Sequence, residues 1–235
     1  MNRMRINRVR ELLNEYGFVV SLVYLTCVSA CLFAAGAISN HSLELWYLMW
    51  NLFLAWVPLF FVLWLLHMLR RKPWSSWEGI CLSLLWLGFL PNSFYMVSDF
   101  IHLQDYQRMD LVFDTAMFAS FVLTSLFLGY ASLYLVHVEL ARRLKSHVSA
   151  WLWISSILLL CSFAIYLGRD LRLNTWDILV SPPGILFDVS NVFLHPTAYG
   201  IAFTTTVTFF ALLMSVYIVV WQFVRKPHAR YKAPH

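Results

Sequence analysis

Charged side chains are scarce in this sequence: Asp, Glu, Lys and Arg make up only 12% of its 235 residues. That is too little polar surface to coat a water-soluble globule, and composition alone argues against a soluble domain. Cysteine is scarce as well, with four residues, Cys27, Cys31, Cys81 and Cys161, all inside apolar runs. They are expected to serve as small, polarisable packing residues rather than as a disulfide framework or a thiolate metal site. Glycine and proline number eight each, and no low-complexity tract or long linker interrupts the chain. Strand-like alternation of apolar and polar residues is missing, which argues against a transmembrane β-barrel. Absent too are a Walker loop, a Gly-x-Ser-x-Gly elbow, a His-Glu-x-x-His helix and a Cys-x-x-Cys pair, so the soluble chemistries they carry are set aside.

What the sequence does have is apolar length. Hydrophobic residues make up 60% of it and aromatics 17%, with a mean hydropathy of +0.67. Windows of roughly 20 residues, matched to a hydrocarbon core of about 30 Å, predict transmembrane helices. Six such spans fall near residues 17–38, 46–68, 77–97, 111–138, 148–168 and 198–223. Because backbone in lipid must satisfy its own hydrogen bonds, the fold class is all-α, a polytopic membrane helix bundle. It reads as a single integral membrane domain over residues 1–235, with the lipid bilayer as its first partner. Ala35-Gly36-Ala37 resembles a signal peptidase site. The apolar run before it is longer than a signal h-region, however, so an uncleaved first helix is expected. The longest segment between spans, residues 169–196, turns at Pro182-Pro183-Gly184. Its apolar part, Ile185–Leu194, is too short to span and is expected to lie in the interface or re-enter the bundle.

Charge marks the ends of the spans. Arg3, Arg5, Arg8 and Arg10 precede the first span, Arg70, Arg71 and Lys72 follow the second, Arg142, Arg143 and Lys145 follow the fourth, and Arg225, Lys226, Arg230 and Lys232 follow the sixth. Only Arg108, Arg169 and Arg172 of the 17 basic residues fall in the alternate loops. The positive-inside rule therefore predicts both termini in the cytoplasm of a cell-membrane protein. Most acids, among them Glu44, Asp99, Asp105, Asp110, Asp114, Asp170, Asp177 and Asp188, fall on the other side. The net charge of +5 thus hides a basic inner face, read as topology and anionic-lipid contact, and an acidic outer one. Nucleic acid is not an expected partner, since no folded soluble domain carries the basic residues.

The outer side holds the candidate site residues. In LPNSFYMVSDFIHL, Leu90–Leu103, an apolar run breaks at Pro91-Asn92 and runs out into Asp99 and His102. Proline removes an amide donor and clashes with the carbonyl of Leu87, so a kink or unwinding near Pro91 is expected. Freed backbone, with Asn92 and Tyr95, then becomes available to a ligand or to a neighbouring helix. Asp99 and His102 share a helix face at i, i+3, and Asp110 and Asp114 share another at i, i+4. Together these four suit a divalent metal, with imidazole favouring zinc or another transition ion. Asp114 lies about one turn inside an apolar span, where a carboxylate needs a cation, a metal or an arginine. In GRDLRLNTWD, Gly168–Asp177, Arg169 and Arg172 sit a turn apart and can clamp a phosphate or carboxylate. Asn174 adds donors, Trp176 marks interfacial depth, and Asp177 neutralises charge. Packing accounts weigh against both sites: solvated loop acids, an Asp-Arg pair, or arginines snorkelling to headgroups. Asn51, Ser120, Thr124, Ser125 and Thr204–Thr206 suit hydrogen bonds between helices. His67, His137, Glu139 and His147 are expected to be solvated or lipid-facing.

These same blocks, Leu90-Pro91-Asn92 with Tyr95, Asp99, His102 and Leu103, then Phe113-Asp114, then Gly168-Arg169 with Leu171-Arg172, Asn174 and Trp176-Asp177, carry a resemblance. They resemble the bacterial integral membrane family known as domain of unknown function 1361, roughly from the second span onward. Asp170 departs from the apolar or aromatic residue that the resemblance implies between Gly168-Arg169 and Leu171-Arg172. The resemblance implies a membrane setting and no particular activity. Function therefore rests on the residues. One reading is an enzyme at the outer leaflet, with Asp99, His102, Asp110 and Asp114 as metal ligands or acid and base, and Arg169 and Arg172 gripping an anionic envelope or lipid-linked substrate. A structural or assembly partner in a membrane complex is the second. Transport of a small molecule or ion is the third, weakened by few charges at mid-membrane and no visible repeat.

Overall fold

The computed structural model describes residues 2–99, 111–170, 190 and 200–224. Among them are six long helices and no strand: α1 (Asn2–Asn40), α2 (Trp46–Met68), α3 (Trp77–Tyr95), α4 (Leu111–Leu144), α5 (His147–Asp170) and α6 (Gly200–Val224). Each is long and apolar enough to cross a membrane, over Gly17–Ser39, Trp46–Met68, Trp77–Asp99, Leu111–Leu144, His147–Arg169 and Gly200–Val224. The all-α, multi-pass architecture expected from hydropathy is the one observed. The segment Ile185–Leu194 and its expected interfacial placement fall outside the described residues, apart from Ser190.

Local chemistry sets the helix ends. Ser76 caps α3, its hydroxyl accepting from the Gly79 amide at 3.2 Å. A Cβ at Gly79 would lie 2.5 Å from the Trp74 carbonyl oxygen, so only glycine lets the chain enter α3 this closely. At its far end α3 does not unwind. It runs through Pro91 without a break to Tyr95, and only Met96–Asp99 tightens into a 3₁₀ turn. The last turn holds because its polar groups are satisfied from outside the helix, as described below. As expected, α1 runs through Ala35-Gly36-Ala37, whereas α4 extends six residues beyond the expected end at 138.

The chain divides into two compact units, Met1–Ser132 and Leu133–His235, the division falling inside α4. In the first unit, α2 buries Leu48, Leu52, Ala55, Leu59, Val62 and Leu65 at steps of three and four. This stripe packs on Leu82, Trp86, Leu90 and Phe94 of α3, while α4 contributes Phe118, Phe121 and Leu128 to the core. In lipid there is no hydrophobic drive between helices, and association depends on close packing and hydrogen bonds. Both are present. The Ser93 hydroxyl donates to the Ala55 carbonyl at 3.1 Å, and Ser125 donates to the Ser93 carbonyl at 2.7 Å. That second bond satisfies one of the carbonyls that the last turn of α3 leaves without a helical partner. Ser29 and Thr124 share a hydrogen bond at 3.2 Å, and the Trp56 indole donates to Thr26 at 3.2 Å. Gly129 allows α4 its close approach: a Cβ there would lie 2.8 Å from the Ser93 Cβ and 2.9 Å from the Phe94 ring.

The second unit packs α5 against α6, with the last turns of α4. Ala150, Ile154, Leu158, Cys161 and Ile165 form the buried stripe of α5, and Leu213, Tyr217 and Trp221 that of α6. Tyr166 and Ala202 form a smaller cluster at the other end, with Phe163 and Leu167 against it.

Candidate functional site

In the first unit the chain order brings the start of α2, the end of α3 and the start of α4 to one end. Two carboxylates are buried there. Asp99, in the 3₁₀ turn after α3, is 3% exposed, and Asp114, in the first turn of α4, is 5% exposed. Asn51 reaches from α2, its side-chain amide donating to Asp99 Oδ2 at 3.2 Å. Asp114 sits where the dipole of α4 favours a negative group. Asn92 and Tyr95 are half-buried on the last turn of α3, one to two turns from Asp99. An ionised Asp in an apolar span costs about 3 kcal/mol on insertion scales. Two carboxylates buried at one end of one unit therefore mark a polar site inside apolar helices.

Several site residues read from the sequence, His102, Asp110, Arg172, Asn174, Trp176 and Asp177, lie outside the described residues. Arg169 is exposed on the last turn of α5, in the second unit. Among the described residues, no three His, Cys, Asp or Glu side chains gather into a metal-binding group. Asn51 was expected to serve only helix packing. Its contact with Asp99 makes it a member of the candidate site, and a polar amide one turn inside α2 is the sequence signal for it.

Two expectations are corrected in the second unit. His137 is fully buried and Glu139 is 9% exposed, where solvated or lipid-facing side chains were expected. The cause is that α4 does not stop at 138, so its last turns remain packed. His137 stacks on Trp221 with centroids 3.8 Å apart and planes at 18°, and meets Trp151 edge-on at 4.8 Å. Its Nδ1 shares a 2.8 Å hydrogen bond with the Tyr217 hydroxyl. Spacing on α6 foreshadows this box, since Leu213, Tyr217 and Trp221 recur every four residues on one face. Glu139 accepts from Arg142 Nε at 2.9 Å and Nη2 at 2.6 Å, and from Arg143 Nε at 2.6 Å.

Neither a curated protein nor a solved structure matches the chain. One family does, over residues 50–217, most of the chain and a stretch that includes Asn51, Asp99, Asp114 and His137. The chain therefore belongs to the family described as Protein of unknown function (DUF1361).

Proposed function

We propose that the acidic end of the first unit binds a divalent cation and, through it, an anionic envelope or lipid-linked substrate at the outer face of the membrane. The observation that carries this reading is the burial of Asp99 and Asp114 at one end, with Asn51 fixing the Asp99 carboxylate. Carboxylate oxygens are the ligands that hard divalent ions take, and such an ion leaves coordination positions for a phosphate or carboxylate oxygen. Asp99 is the acting ligand and, without metal, the acid or base. Asn51 is its positioning residue. His102 and Asp110 are the further ligands in this proposal, and Asn92 and Tyr95 bind the polar part of the substrate. In the second unit, Arg169, Arg172 and Asn174, with Trp176 and Asp177, are proposed separately as an anion-binding group. The outward orientation rests on charge: Arg70, Arg71 and Lys72 lie at the end of the first unit opposite Asp99.

Calorimetric titration of the detergent-purified full chain with Mg²⁺, Mn²⁺ and Zn²⁺ tests the reading. Near-stoichiometric binding is expected in the wild type. It should weaken at least tenfold in Asp99→Asn, by the loss of one charged ligand. Absence of binding of all three ions to the folded wild type would overturn the cation. Equal binding by Asp99→Asn would move the site elsewhere.

A second reading, that the protein is an assembly partner, has its own support. Only 11% of the spanning window of α1 is buried, against 44% for α2. A helix so lightly packed within the chain has surface for another membrane helix. Crosslinking at the exposed Cys27 and Cys31 checks it: specific crosslinked products support the assembly reading, and monomeric protein alone counts against it.

A further inference from the structure

We infer that Arg142 and Arg143, set by Glu139, form a preorganised site for a phosphate group at the end of α4. Glu139 is nearly buried, yet it takes three charge-assisted hydrogen bonds from two guanidinium groups. In the sequence three basic residues, Arg142, Arg143 and Lys145, share this corner with the one carboxylate of Glu139, an excess of positive charge. Geometry gives the excess a direction. Glu139 occupies the Nε and Nη2 edge of Arg142, which turns the Nη1 side of the planar group away from the carboxylate. The Arg142 side chain is 65% exposed and that of Arg143 30%, so the Arg142 guanidinium is held from below and presented outward, with Arg143 beside it.

Holding the arginines in place removes rotamer entropy before any anion arrives, which is what separates a site from a scatter of basic side chains. Lys145 adopts a left-handed φ of 51°, ending the helix immediately after the pair. Ser146 already caps the first turn of α5, accepting from the Ser149 amide at 3.2 Å. The arginines, and not that helix end, therefore carry the site. Its ligand is a phosphate mono- or diester at membrane depth, whether the headgroup of an anionic phospholipid or a free phosphate compound. This site is independent of the cation proposed at Asp99.

Native mass spectrometry of the detergent-purified full chain, titrated with phosphatidylglycerol or phosphatidylcholine of the same acyl chains, tests the inference. The wild type is expected to prefer phosphatidylglycerol, and the double variant Arg142→Ala/Arg143→Ala to lose on the order of tenfold of that affinity. Arg142→Lys distinguishes a shaped site from mere positive charge. It keeps the charge and loses the fork, so a several-fold loss is expected. An Arg142→Lys protein with wild-type preference would overturn the site, as would an unchanged double variant. Competing inorganic phosphate separates the sources: displacement of phosphatidylglycerol identifies a free phosphate ligand, and resistance identifies the lipid headgroup. Size-exclusion profiles matching wild type confirm that the variants are folded.

Discussion

Gly129 and Ser125 show how much of this protein depends on single atoms at helix crossings. Gly129→Ala puts a methyl group within 3 Å of Ser93 and Phe94. A loss of about 1–3 kcal/mol is expected, read as a lower midpoint of thermal unfolding in detergent. Ser125→Ala only removes the donor to the Ser93 carbonyl and should cost about 0.6 kcal/mol, typical of hydrogen bonds between membrane helices. An equal or larger loss in Ser125→Ala would mean that hydrogen bonding, and not close packing, joins α3 to α4. By sequence Ser120, Thr124 and Ser125 are alike, each a small hydroxyl within one apolar span. Thr124 and Ser125 do reach neighbouring helices, whereas Ser120 donates at 2.7 Å to Met117 in its own helix. Which hydroxyls turn inward depends on helix rotation, and periodicity is weak when nearly every neighbour is apolar.

At the scale of the element, hydropathy located the six apolar spans and fell short at charged ends, by six residues at the end of α4. The 111–138 span was cut short because Glu139, Arg142 and Arg143 look like a polar exit. Their mutual pairing lets the helix continue to Leu144. The same misjudged end hid His137. Its box joins α4, α5 and α6 through one hydrogen bond and stacked rings, so Tyr217→Phe should lower stability by about 1 kcal/mol. His137→Ala, which also empties the stacked volume, should cost about 2–4 kcal/mol. If both variants unfold at the wild-type temperature, the box does not hold the second unit together. The Asn51–Asp99 contact is half legible: a polar amide inside an apolar span signals a partner, but the partner lies 48 residues away and the sequence does not say which it is.

For the molecule as a whole, the distribution of Lys and Arg makes the firmest forecast. Reporter fusions after Arg71 and Arg143 are expected to be active only for a cytoplasmic reporter, and fusions near Glu44 only for an external one. External activity after Arg143 would reverse the assignment and bring Asp99 and Asp114 to the inner face. Composition and apolar length made the membrane class legible, because both are sums over many residues. The division into Met1–Ser132 and Leu133–His235 had no such signal, since it falls within a continuous helix and leaves no break in the apolar pattern.

The length of that helix has a consequence for where the protein can work. The 34 residues of α4 amount to about 51 Å of helix against a hydrocarbon core of about 30 Å. Such a rod must tilt, project, or thicken the lipid around it, and each response costs a fraction of a kcal/mol per ångström. Bilayer thickness thus becomes a variable of state for this protein. Lipids with short acyl chains should lower its thermal midpoint relative to long ones, and the chain should partition toward the thickest regions of its membrane.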